Sequence, residues 1–111
     1  MIKMGTVNMH LTPDEVSEVL GEGKTFVFKD HPCGKAGDKF SINGRTFELI
    51  DVSERTLNMI SRYYHTTDGH STSADFISSW KAAHNSEWDP EAVLYVHWFR
   101  DITAPLTNDL I

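Results

Sequence analysis

Lys39-Phe40-Ser41-Ile42-Asn43-Gly44-Arg45-Thr46-Phe47-Glu48-Leu49-Ile50-Asp51-Val52 is two β-prone runs joined by a single dipeptide. Asn-Gly suits a two-residue type I′ turn, because both of its positions tolerate positive φ. On the first arm Phe40 and Ile42 alternate with polar neighbours. On the second, Phe47 and Leu49, with Val52 beyond them, mark the side turned toward a core. An antiparallel hairpin is therefore expected over 39–52.

Upstream of the hairpin, Leu11-Thr12-Pro13-Asp14-Glu15-Val16 is a helix start. Thr12 is placed to cap, Pro13 has the fixed φ that suits the first helical position, and Glu15 can reach back to close a capping box. Leu11 and Val16 sit where a hydrophobic staple would clamp the first turn. Val16, Val19 and Leu20 give the helix an apolar stripe, and Gly21 with Gly23 ends it. Met4 to His10 has the makings of a first strand, and Lys24 to Lys29 those of a second. The glycines and proline of His31-Pro32-Cys33-Gly34-Lys35-Ala36-Gly37-Asp38 make a loop.

Downstream, Leu57, Ile60 and Tyr64 have helical spacing over 56–64. Phe76, Ile77, Trp80, Ala83 and His84 share a face of a second helix over 73–84, behind Ser71-Thr72-Ser73 as cap region. Ala92 to Phe99 is nearly apolar throughout and predicts a central closing strand. The order is strand, helix, three strands, two helices, strand. That pattern implies an α+β domain whose mostly antiparallel strands curl into a small barrel. Residues 103–111 look like a loosely held tail.

With 111 residues the chain has room for one domain. A single cysteine, Cys33, excludes an internal disulfide framework and the multi-cysteine zinc modules. No apolar run has the length of a membrane span, and the start lacks the features of a signal peptide, so a cytoplasmic protein is expected. The formal charge of −6 argues against a protein that simply coats nucleic acid, DNA included. The charge is uneven, however. Residues 24–62 hold seven basic side chains against five acidic ones, a basic middle on an acidic body that could steer an anion to one side.

Six histidines raise the question of a metal, but no pair has ligand spacing, so no metal or other cofactor is expected. Cys33 has only His31 nearby as an activator. Phosphate-cradling glycine motifs and a GxSxG elbow are absent. Most aromatics fall at core periodicities, and Trp80 is expected to lie beneath a cleft. Tyr63, Tyr64, Trp88 and His97 do not fit one buried face, and rings beside a basic region can stack on bases.

Gly23-Lys24-Thr25-Phe26-Val27-Phe28-Lys29, Gly37-Asp38-Lys39-Phe40, Phe76 with Trp80 and His84, and Val93 through Phe99 together resemble the ASCH domain of the PUA-like superfamily. The resemblance covers roughly residues 8–102, so that 1–102 would form the domain. It implies a PUA-like barrel of five to six strands with two to three helices and a cleft beside Lys24. It implies, too, binding of RNA or a nucleotide-like molecule. Some bacterial members are amidohydrolases that deacylate N4-acylated cytidine with a lysine, a threonine and a glutamate. Lys24 matches the lysine, Val27 stands where the threonine would be, and Asp68 is the nearest match to the glutamate. The G-x-K-x-x-E-x-R signature departs here, with Val27 for its acidic residue and Lys29 for its arginine.

The expected binding set is Lys24, Thr25, Lys29, Lys39, Arg45, Asp68 and His70. The lysines and Arg45 would meet phosphate, and Asp68 or His70 a base edge. The alternatives are hydrolysis by Lys24 and Asp68, and a protein-interaction module using the acidic faces.

Overall fold

The computed structural model describes residues 6–66 and 70–103. Its elements are α1 (Pro13–Glu22), β1 (Phe26–Lys29), β2 (Lys39–Ile42), β3 (Arg45–Thr56), α2 (Leu57–Tyr63), α3 (Ser73–Ala83) and β4 (Val93–Asp101). The fold is α+β, with three helices and a four-stranded sheet in the order β1-β4-β3-β2. β1 pairs antiparallel with β4, placing Phe26 opposite Trp98 and Lys29 opposite Tyr95. β3 and β4 also run antiparallel: Ile102 donates to the Thr46 carbonyl at one end, and Leu57 to Ala92 at the other.

The hairpin forms as its turn chemistry requires. Asn43 and Gly44 both have positive φ (47° and 85°), and Ile42 faces Arg45 across the turn. Four strands form among the described residues. Of the strand expected over residues 4–10, Thr6 makes a lone parallel bridge to Lys39, and Val7 donates to the Lys39 carbonyl. Among the described residues pairing goes no further, Met4 and Gly5 lying outside them, and the chain turns at His10, which has φ 51°, to enter α1.

The chain divides into two compact units, Met1–Ser53 with Tyr95–Ile111, and Glu54–Leu94. In the first, Met9, Val19, Val27, Phe40, Ile42, Phe47, Leu49 and Phe99 form the core. Phe40 and Phe47 stack with centroids 5.4 Å apart, and Phe99 meets both edge-on at 5.2 and 5.7 Å. The full capping box and Pro13 start α1, whose stripe is narrower than expected: Val19 is buried but Leu20 is exposed.

In the second unit, Leu57 and Ile60 of α2 and Phe76 of α3 are buried. Thr56 and Thr72 cap the two helices through their hydroxyls. Trp80 is half-buried, stacked on His84 at 3.9 Å and facing Phe76 at 6.4 Å.

Candidate functional site

α1 ends where Gly23 takes a left-handed conformation, and the Lys24 N–H turns back to the Glu18 carbonyl at 3.1 Å. That reversal delays the strand to Phe26 and aims Lys24 back along α1. The Lys24 ammonium lies 3.6 Å from the Glu18 carboxylate and 5.3 Å above the Phe26 ring. Thr25 is fixed by its carbonyl, which accepts from the Phe99 N–H.

On the neighbouring strands, Arg45 donates through Nε to Asp101 at 2.8 Å and through Nη2 to the same oxygen. Thr103 donates its N–H to the other oxygen of Asp101. The Thr103 bonds, then the Arg45 guanidinium, hold the Asp101 carboxyl down to about 2, so it is anionic at any working pH.

These groups surround a pocket of about 360 Å³. Val19, Phe47 and Phe99 form its floor, Leu20 one wall, and Lys24, Thr25, Arg45 and Asp101 its polar rim. An apolar floor with a few fixed polar groups is the usual build of a small-molecule site. A second pocket, of about 390 Å³, lies over Met9, Phe40 and Ile42 with Asn8, His10, Ser41 and Asn43 around it. None of its lining residues is a lysine, arginine, aspartate or glutamate.

The structure thus brings Lys24, Thr25 and Arg45 of the expected set to one pocket. Lys29 is directed elsewhere. Its ammonium lies 2.6 Å from Glu15 and 3.0 Å from the His10 carbonyl, at the start of α1. Lys39 lies 3.8 Å from Glu48, which also accepts from Arg100, and the Arg100 hydrogen bond lowers the Glu48 carboxyl's proton affinity. His70 packs edge-on to Phe76 at 5.6 Å. Asp68 lies outside the described residues. Val27 is a core residue, 1% exposed. Asp101, which pattern reading missed, acts through an ion pair spanning 56 positions, and no local motif announces it.

A second group of reactive side chains lies in the loop after β1. The His31 ring nitrogen Nδ1 is 2.6 Å from Asp30, and its Nε2 is 3.8 Å from the Cys33 thiol. The order carboxylate, imidazole, thiol is that of a nucleophile relay. Burial, however, pushes the Cys33 thiol above its ordinary range, and Lys29 only partly opposes this. Iodoacetamide is therefore expected to alkylate Cys33 in the folded protein more slowly than in the urea-unfolded chain at pH 7.5. Faster reaction when folded would restore the thiol as a nucleophile. Among the described residues, no group of three or more His, Cys, Asp or Glu side chains is placed to hold a metal ion. Nor, among them, is any helix long and apolar enough to cross a membrane.

No family model matches the chain, and no curated protein matches it. Among solved structures it is similar to the crystal structure of protein EF3133 from Enterococcus faecalis V583, described by the family model DUF984. The two are 13% identical, with a TM-score of 0.48 over 96% of this chain and 84% of that one.

Proposed function

We propose that this protein binds RNA or a nucleotide-like anion in the pocket rimmed by Lys24 and Arg45. The convergence of a lysine, an arginine and a hydroxyl on an apolar-floored pocket is the observation that supports it. Arg45, whose Nε and Nη2 are bonded to Asp101, offers phosphate its remaining guanidinium N–H groups, and Lys24 a point charge. Phe47 and Phe99 make the base of the pocket apolar, and ionised Asp101 accepts from an amino group. The net positive middle of the sequence would draw the anion in. We read the sheet and its helices as part of a PUA-like barrel of five to six strands, and the protein as cytoplasmic.

A titration of ¹⁵N-labelled protein with the four ribonucleoside monophosphates and a short oligoribonucleotide tests the reading. Shifts are expected at the Lys24, Thr25 and Phe99 amides. Lys24→Ala and Arg45→Ala should each weaken binding by about tenfold or more, the size of one charged hydrogen bond, and added salt should weaken it further. Millimolar ligand without shifts at these amides would overturn the proposal. Release of acetate from N4-acetylcytidine by the purified protein would replace it with hydrolysis.

A further inference from the structure

His97 is fully buried on β4, with 0% of its surface exposed. Its ring is committed at both nitrogens. Nδ1 lies 3.1 Å from the Tyr95 carbonyl, which can only accept, so Nδ1 carries the proton. Nε2, left with a lone pair, accepts the Cys33 backbone N–H at 2.9 Å. That bond joins strand to loop across 64 positions. The loop is seated tightly there: a Cβ on Gly34 would lie 2.9 Å from Leu49 Cδ1 and 3.1 Å from Val7 Cγ1.

A second proton on His97 would have to enter at Nε2, where it would confront the Cys33 N–H. Two donors cannot share a hydrogen bond. We propose that His97 is an acid-sensitive latch on the loop from Asp30 to Gly34, which holds the loop when neutral and releases it when protonated.

The surroundings of the ring favour this. Lys29 on β1 and His31 in the loop both oppose a positive charge on His97; Lys29 is held by Glu15 of α1, and His31 by Asp30. Backbone hydrogen bonds with Tyr95 on β4 and Val27 on β1 act the other way and favour the protonated ring, each less strongly than burial disfavours it. Burial, the largest influence, pushes the imidazole below its ordinary 6.5. In the released state His97 is wet and titrates near that ordinary value, so the released state binds the extra proton. The latch is therefore at full strength above pH 6.5 and weakens as pH falls toward the value in the closed state. Over that window the opening constant rises by up to about tenfold per pH unit.

Cys33 is half-buried in the closed loop, and opening exposes it further, which provides a readout. The protein is treated with 2,2′-dithiodipyridine from pH 7 to pH 4.5. The thiol sulfur attacks the disulfide to form a protein–pyridyl mixed disulfide; pyridine-2-thione leaves and takes up the thiol proton. Rates are divided by those of the urea-unfolded chain at each pH, which removes the chemistry of the reagent. The normalised rate is expected to climb by up to about tenfold per unit as pH falls below 6.5, with far-ultraviolet circular dichroism unchanged. In His97→Gln, whose amide can still accept from Cys33 but does not titrate, the profile should be flat. In the wild type, the His97 ring ¹⁵N shift and the Cys33 amide should move with one midpoint while the Val19 amide stays still. A flat wild-type profile, the same climb in the glutamine variant, or a ring that stays neutral until the whole protein unfolds would each overturn the latch.

Discussion

Replacing Phe99 by alanine is expected to cost about 3–5 kcal/mol of folding stability, the range for emptying a buried aromatic site. For a chain of this size that lowers Tm by on the order of 15–20 °C. Phe99 is 2% exposed and meets the rings of both Phe40 and Phe47 edge-on, so its removal breaks two ring pairs and leaves a cavity in the first unit's core. The neighbours cannot close over it easily, because Phe40 and Phe47 are already stacked on each other across the hairpin. Phe99→Leu keeps most of the volume and should cost less than half as much. Ile50→Ala, at a position 53% exposed on the same sheet, should change stability by about 0.5 kcal/mol or less. Denaturant unfolding of the three variants checks the order; a Phe99→Ala loss below about 1 kcal/mol would mean the aromatic trio is not central.

What could be read from the sequence was what short-range chemistry decides. Asn43-Gly44 admits few turns, and Thr12-Pro13-Asp14-Glu15 few helix starts, so both formed where expected. Residues 45–56 and 93–101 became strands because their runs are β-branched and aromatic. The failures at the candidate site lie in long-range pairing. From sequence, Lys24 and Lys29 are two ammonium groups on one short strand. In the structure Lys24 precedes the strand, turned back by the left-handed Gly23, while Lys29 is drawn to Glu15 on α1. Neither outcome has a local signature. The same holds for Asp101, paired with an arginine 56 positions away, and for His97, which looked like a misplaced ring and is a fully buried hydrogen-bonding group. The candidate site was thus half legible. Its cations were visible as charge, but their partners depend on which strands the fold lays side by side.

Lys29→Met is the second large effect, and it separates the two lysines. The substitution keeps the apolar stem and removes the ammonium from a site where that side chain is only 13% exposed. Glu15, 20% exposed at its side chain, loses its partner while still serving the cap of α1, and the His10 carbonyl loses a donor at a residue with φ 51°. Breaking one side of such a half-buried pair is expected to cost about 2 kcal/mol, less than for a fully buried pair because water reaches this one. Glu15→Gln keeps the reach of the capping side chain but has no charge to strand. The double variant should therefore recover about 1 kcal/mol relative to the sum of the single changes, which a double-mutant cycle measures directly. Nucleotide affinity should be the same in Lys29→Met as in the wild type at a temperature where both are folded, because the ammonium is bonded at the start of α1. Lys24→Ala should show the reverse emphasis: a stability loss of about 1 kcal/mol, smaller than for Lys29→Met because its pair with Glu18 is longer and Glu18 is the more exposed partner, and affinity reduced. If Lys29→Met instead weakened binding with no loss of stability, the lysine would belong to the ligand site and not to the packing of α1.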